Sequence, residues 1–154
     1  MSLFIILASF MLTALTEYLL HRYYLHKNSG HPHITDHHIN FHGNSTYENP
    51  EAERNEIVSN LAYILISWTP CVLVSLHWVY THIFYGFLFA FTGLCYLTWV
   101  ETVHYLFHKP HNYYIEGTHT FNHLKKHHRT HHTYYKTNYG IGSSIWDYIF
   151  QTKK

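Results

Sequence analysis

The feature that most constrains this chain is a stretch of 44 residues, Ile57 to Val100, that contains no Asp, Glu, Lys or Arg. A membrane-spanning helix needs about 20 predominantly apolar residues, so this stretch is long enough for two spans and a tight turn. The aromatic segment His77–His82 is the predicted turn, because such residues collect at membrane interfaces. The stretch therefore predicts two antiparallel spans at approximately residues 57–76 and 83–103. A soluble bundle with two buried helices is the alternative.

A third apolar segment, residues 3–20, contains one formal charge, at Glu17. At about 1.5 Å per residue it reaches roughly 27 Å, close to the thickness of a bilayer core. It lacks the basic start and the small-residue cleavage site of a signal peptide, which is the other interpretation. We predict an all-α, integral-membrane bundle of about three transmembrane helices, as one domain over residues 1–154. Residues 21–56 and 104–154 are predicted to form a histidine-rich cytoplasmic helical cap.

The distribution of cations supports this topology. Three spans place the ends of the first and third spans on one side of the membrane, and all ten Lys and Arg residues fall on that side. An excess of cations marks the cytoplasmic face, so a multi-pass protein of a bacterial inner membrane or the ER membrane is expected. The net charge of +1 gives no indication of nucleic-acid binding. Cys71 and Cys95 lie in apolar runs and are predicted to be small buried residues.

Histidine is the second unusual feature of the sequence, with 18 His against 19 charged residues. Most of them lie in four clusters at the predicted cytoplasmic ends of the spans, at spacings that can place imidazoles on one helix face. Imidazole suits iron, zinc, copper or nickel, and one metal accepts about four to six ligands, so ten imidazoles predict two metals. The candidate ligands are His21, His26, His33, His37, His38, His104, His108, His128, His131 and His132.

The spacing leaves some assignments open. His31 or His42 could replace His33, and the adjacent His127 could replace His128. The remaining histidines are predicted to lie outside the metal site: His77, His82, His111, His119 and His123. Four carboxylates near the clusters are candidates to orient an imidazole through its second nitrogen. These are Glu17, Asp36, Glu101 and Asp147.

The order of the four clusters resembles that of the fatty acid hydroxylase and sterol desaturase superfamily of integral-membrane di-iron oxygenases. The resemblance covers nearly the whole chain. The family pattern is a histidine pair, a histidine followed by His-His, a second pair, and a final His-x-x-His-His. An aromatic-Gly element and a Trp-Asp-x-x-Phe sequence follow, matched here by Tyr139–Gly142 and Trp146–Phe150. That tail favours the fatty acid hydroxylase branch.

The resemblance implies two iron ions, with O2 as cosubstrate, that hydroxylate a C–H bond of a lipid, in the first place a fatty acyl chain. Zinc could substitute for iron in a purified sample, because imidazole binds zinc well. The implied partners are the membrane, a lipid substrate and a separate electron donor, either a ferredoxin or a small cytochrome with its reductase. No nucleic acid is expected, and no catalytic residue is predicted beyond the metal ligands.

The sequence is also compatible with other functions. A sterol or carotenoid oxygenase, or a desaturase, would use the same chemistry. A histidine-rich membrane protein for metal binding or transport belongs to another class, but transporters place polar ligands near the bilayer midplane. The interiors of the predicted spans contain no histidine, which argues against transport. A soluble zinc-binding helical protein is the third possibility considered.

Overall fold

Three long helices form the body of the structure, a computed structural model that describes residues 1–42 and 46–154. They are α1 (Ser2–Leu20), α3 (Leu61–Val79) and α4 (Ile83–His108). Each lies in a segment long and apolar enough to cross a membrane, and the described residues contain no strand. The prediction of an all-helical protein with three candidate spans is therefore confirmed.

The helix bounds differ from the predicted spans at two places. The short helix α2 (Arg54–Ile57) is separate from α3, which begins at Leu61 because the Asn60 side chain accepts a hydrogen bond from the Tyr63 N–H at 2.9 Å. Helix α4 continues without a break past the predicted span to His108, as the helical spacing of His104 and His108 predicts. This extension carries two histidines out of the apolar region on a rigid helix.

Small and polar side chains let α1 pack closely against α3 and α4. The Ser9 hydroxyl donates to the Phe89 carbonyl at 2.6 Å, and Thr13 Oγ1 lies 2.9 Å from Cys71 Sγ. A Cβ on Gly93 would lie 2.9 Å from that sulfur, so glycine is required for this approach. Interhelical hydrogen bonds and small residues are the usual means of association in lipid, where burial of apolar surface gives little driving force.

One cysteine differs from the prediction. Cys71 is buried between the helices, but Cys95 is exposed. Cys95 lies on the outer face of α4 with Phe91 and Leu94, which are also exposed. A surface of a spanning helix that contacts lipid is as apolar as a core, so apolar neighbours in the sequence do not distinguish the two positions.

The cap lies at the end of the bundle where α1 ends and α4 carries its histidines. It contains two π-helical segments, His21–Leu25 and His33–His38, and a 3₁₀ turn at Tyr114–Gly117. The longest cap helix is α5 (His119–Thr133), and α6 (Ile145–Ile149) follows it. Part of the predicted cap, residues 43–45, lies outside the described residues.

Candidate metal centre

The ten predicted ligands lie together in two groups of five histidines. In each group, the candidate ligand atoms all lie within 4.8 Å of one another. Site A consists of His21, His26, His33, His38 and His131. Site B consists of His37, His104, His108, His128 and His132. Residues separated by more than 100 positions in the sequence therefore meet in one place.

The α-helical pairs supply site B. His104 and His108 are four residues apart on α4, and His128 and His132 are four apart on α5. Four residues are close to one turn of an α-helix, so both members of each pair project from the same face. Two facing helices therefore deliver four of the five imidazoles of site B.

The π-helical pairs supply site A. His21 and His26 are five residues apart, and the His26 N–H donates to the His21 carbonyl at 3.1 Å, which is the i→i+5 bond of a π-turn. His33 and His38 have the same spacing in the second π segment. In an α-helix, five residues rotate a side chain about 140° away from its partner. The wider π-turn brings both members of each pair to the same side.

Two pairs of adjacent histidines connect the sites. His37 and His38, and likewise His131 and His132, each send one imidazole to site B and one to site A. Neighbouring helical residues are about 100° apart, so adjacent side chains diverge into adjacent sites. The rings of His38 and His132 stack with their centroids 4.3 Å apart. The two sites therefore share a wall, as expected for a dinuclear centre.

The distances between ring nitrogens fit metal coordination. The Nε2 atom of His128 lies 3.0 Å from that of His108 and 3.1 Å from that of His132. In site A, the Nε2 atoms of His21 and His33 are 2.9 Å apart. A metal–nitrogen bond of about 2.1 Å with ligands at right angles places two nitrogens about 3.0 Å apart. The imidazoles thus fit an ion at each site.

Backbone carbonyls orient several of the imidazoles. A ring whose Nδ1–H donates to a carbonyl must present the Nε2 lone pair on its other side, which is the tautomer that a metal requires. Four site histidines have this arrangement, at N–O distances of 2.5 to 3.0 Å: His21 to Tyr139, His37 to Glu56, His108 to Tyr47, and His131 to Thr137. Sequence reasoning missed these acceptors, because a backbone carbonyl has no residue signature.

His131 gives a second indication of a bound cation. Its Nδ1–H is used by the Thr137 carbonyl, whereas its Nε2 is buried and has no hydrogen-bond partner among the described residues. Buried polar atoms in proteins nearly always have a partner. A metal ion in site A would provide one for this lone pair.

The prediction that four carboxylates orient ligand imidazoles is wrong for the residues that the structure describes. Glu17 accepts hydrogen bonds from the Tyr96 hydroxyl and the Ile141 N–H, and Glu101 accepts one from Ser59. The remaining two bond to residues outside both sites: Asp36 to Thr35 and Asp147 to His127. Among the described residues, none of these four carboxylates is bonded to one of the ten candidate ligands, and the acceptors observed for four of those imidazoles are backbone carbonyls.

Asp147 joins α5, α6 and the loop that follows α5. Its carboxylate is fully buried and accepts four hydrogen bonds at 2.7 to 3.0 Å, from the Tyr139 and Gly140 N–H groups, Thr152 Oγ1 and His127 Nε2. Burial alone would raise the pKa of Asp147, but these hydrogen bonds outweigh it and lower that pKa. Because the Tyr139 carbonyl orients His21, the carboxylate positions a ligand of site A indirectly.

The three alternative ligands lie outside both sites. His31 Nδ1 accepts from the His33 N–H at 3.2 Å, and His127 contacts Asp147. His42 Nδ1 lies 3.1 Å from the His132 carbonyl oxygen. These interactions place the alternatives beside the ligands. The histidines that were predicted to be elsewhere, His77, His82, His111, His119 and His123, also lie outside both groups.

Burial keeps the site imidazoles neutral. It lowers the pKa of His26 and of His37 to about 4. Burial, followed by the proximity of other imidazoles, also lowers the pKa of His33, His128 and His132 well below the usual value. A neutral imidazole is the form that binds a metal, so at neutral pH the sites are ready for metal without prior loss of protons.

A cavity of about 340 Å³ leads to both sites. It is lined by His33 of site A and by His37 and His104 of site B, together with Glu17 and Tyr63. The cavity thus reaches imidazoles of both sites. We call this cavity the metal chamber.

The fold and the site define a class: an all-helical protein with candidate membrane spans and a pair of adjacent histidine sites. A family model described as fatty acid hydroxylase matches residues 6–152, nearly the whole chain. The chain therefore belongs to the fatty acid hydroxylase family, and the resemblance inferred from its histidine clusters is confirmed. Neither the curated proteins nor the solved structures include a significant match to it.

Proposed function

We propose that this protein is a membrane-bound, non-haem di-iron oxygenase that hydroxylates a C–H bond of a lipid, with a fatty acyl chain as the preferred substrate. The observation that carries the proposal is the pair of five-histidine sites with a shared wall at the end of three candidate spans. Family membership supports a membrane oxygenase. A closed structural metal site would need about four ligands and one ion.

The ligand set accounts for the type of chemistry. Nitrogen ligands suit iron, and the five imidazoles of each site would hold one iron ion. Bound iron would supply the activation of O2 that side chains cannot provide. In the overall reaction, one oxygen atom enters the C–H bond as hydroxyl. The other leaves as water after two electrons and two protons are added.

The protein contributes geometry and the exclusion of water. Carbonyl acceptors hold His21, His37 and His108 in the ligand tautomer, so little reorganisation is needed when metal binds. His108, His128 and His132 are fully buried. A substrate that enters from the lipid could reach such a site without passing through bulk water.

We propose that the electrons come from a separate donor, a ferredoxin or a small cytochrome, that docks on the cytoplasmic face of the cap. Exposed cations on this part of the protein, among them Lys126, Lys136 and Lys153, would attract an acidic partner. We also propose that the cap faces the cytoplasm, from the distribution of Lys and Arg in the sequence. The rate of reduction should then fall as ionic strength rises.

An oxygen-labelling experiment tests the proposed reaction. The iron-loaded protein in lipid nanodiscs is supplied with a reductase, a ferredoxin, a fatty acid and isotopically labelled O2. Mass spectrometry should detect a product heavier by one labelled oxygen atom. A product that has lost two hydrogens and gained no oxygen would instead identify a desaturase. Absence of both products from a protein with two bound irons would contradict the oxygenase proposal.

Matched variants connect the activity to the two sites. His131→Ala removes a ligand of site A, His132→Ala removes one of site B, and both should abolish the product. His123→Ala is the control on the same helix, because His123 is exposed and lies in neither site, and it should leave the product unchanged. Two irons per chain in the unmodified protein, with a spectroscopic signature of magnetic coupling, would support a shared dinuclear centre.

A further inference from the structure

A second and larger cavity lies beside the metal chamber and extends along α4 from Leu94 to the loop at Tyr113 and Ile115. Its volume is about 670 Å³, within the range of pockets that hold small molecules. Apolar residues of α3 and α4 line it, including Ile64, Leu94 and Leu97. Leu94 and Thr98, one helical turn apart on α4, are exposed on the outer surface of a candidate span. We call this cavity the lipid-side cleft.

The chemistry of the cleft matches one acyl chain of a membrane lipid. The part of its apolar wall that contains Ile64, Leu94 and Leu97 belongs to candidate spanning helices, so in a bilayer the medium around that part would consist of acyl chains. Arg54 lies at the cap end of the cleft and is the cation among its described lining residues. A cation at the end of an apolar groove complements the negatively charged or polar head of such a lipid.

The lipid-side cleft and the metal chamber share one wall. Val58, Ser59 and Glu101 line both cavities. Residues 58–60 form a short non-helical link between α2 and α3, and Val58 and Asn60 are both extended, with ψ of 149° and 160°. The Ser59 N–H donates to Glu101 Oε2 at 2.8 Å, which ties the link to α4. This wall is called the partition below.

We propose that the hydrogen bond between Ser59 and Glu101 closes the partition, and that its opening admits an acyl chain from the lipid-side cleft to the metal chamber. Glu101 is then a specificity-determining residue that controls how far a chain reaches. The role of this passage in catalysis rests on the proposed function, whereas the passage itself can be tested without turnover.

Several features suit the partition to this role. It consists of a short extended link rather than a packed helix, so a small movement of its backbone would join the two cavities. The metal chamber beyond it exposes histidines of both sites, His33 and His37. The Glu101 carboxylate accepts its hydrogen bond from Ser59 rather than from an imidazole, and it also interacts with the charge of Arg54.

Photo-crosslinking with a fatty acid that carries a diazirine along its chain tests the proposal. The unmodified protein in nanodiscs should be labelled mainly at cleft residues such as Leu94 and Thr98. Glu101→Ala removes the acceptor, and labelling of chamber residues such as Leu25 and Tyr63 should rise about tenfold, as expected for the loss of one hydrogen bond to a charged group.

Two variants serve as controls. Glu101→Gln keeps an oxygen acceptor at nearly the same position but lacks the charge, so its chamber labelling should lie between that of the unmodified protein and that of Glu101→Ala. Thr102→Ala changes another lining residue of the cleft, whose hydroxyl bonds to the Thr98 carbonyl on the same helix, and should leave the partition closed. Metal content, measured in each sample, identifies effects on folding.

A variant on the other side of the hydrogen bond keeps the proposal testable if Glu101→Ala does not fold. Ser59→Pro removes the N–H donor and leaves α4 unchanged, and Val58 already has the extended conformation that precedes proline. It should increase chamber labelling in the same way. Equal chamber labelling in the unmodified protein and both opened variants, or no labelling of the cleft, would overturn the proposal.

The crosslinking result is separate from the oxygenase test. Labelling that moves into the chamber without any oxygenated product would support the partition and contradict the proposed function. Oxygenated product with labelling that does not respond to the variants would contradict the partition alone.

Discussion

Replacing Asp147 by alanine should loosen site A and leave site B largely intact. The fully buried carboxylate accepts four hydrogen bonds, two of them from the backbone of the loop at Tyr139 and Gly140. This loop also carries the acceptors of two site A ligands, because the Tyr139 carbonyl bonds to His21 and the Thr137 carbonyl bonds to His131. In site B, by contrast, His37 and His108 donate to carbonyls outside this loop.

The expected magnitude follows from these contacts. Asp147→Ala removes a buried carboxylate and leaves its buried donors without an acceptor. Such a loss costs about 3–5 kcal/mol in the free energy of unfolding. Asp147→Asn keeps one oxygen but presents an amide N–H to two of the four donors, so its effect should be about half as large. Loss of the support behind a metal-binding histidine typically weakens metal affinity by about 10- to 100-fold. Site A should weaken by that factor.

The assay is metal retention per chain during titration with a chelator, measured together with thermal unfolding in detergent. The unmodified protein should release both metals over one range of chelator. Asp147→Ala should release one metal at a concentration lower by about 10- to 100-fold, and the second near the original range. An equal loss of affinity for both metals would refute the assignment of this loop to site A. Unchanged metal release together with an unchanged melting temperature would also refute it.

Three further predictions concern the loop, the pH dependence and the helix packing. Gly140→Ala should lower the melting temperature and weaken site A, because a Cβ there would overlap the Ser143 carbonyl and lie 3.0 Å from Asp147 Oδ2; unchanged stability would contradict the close approach. The metal-free protein should lose stability as pH falls from 6.5 towards about 4. In this window the unfolded chain binds protons at His26 and His37, whereas the folded chain does not. A melting temperature that rises as pH falls through this window would refute the prediction. Gly93→Val should lower the melting temperature with two metals retained, because it separates α4 from Cys71 and Thr13 far from the sites; loss of metals at unchanged stability would contradict that reasoning.

The membrane helices were predictable because their signal is local. Few folds can accommodate a run of 44 residues without formal charge. The length of this run also placed the turn at His77–His82, where α3 ends. The continuation of α4 to His108 also follows from a local signal, the helical spacing of His104 and His108. The start of α3 was less predictable: Asn60 caps it later than expected, because capping rather than composition decides where a helix begins.

The ten histidines could be recognised in the sequence, because imidazoles at helical spacing have few other uses. Their division between two sites could not. His21 and His26 converge only because the chain adopts a π-turn, and in an α-helix they would diverge. Similarly, His127 and His128 are adjacent, yet rotation by about 100° sends one to Asp147 and the other to site B.

The partners of the imidazoles depended on the tertiary structure alone. Carboxylates near the clusters were reasonable candidates, but the observed acceptors are carbonyls of distant residues, such as Tyr47 for His108 and Tyr139 for His21. Every residue has a carbonyl, so its identity carries no information about this role. Amino-acid types determine which side chains are able to bind metal and which segments prefer lipid. Only the packing of helices distant in sequence determines which site each imidazole faces and what holds it there.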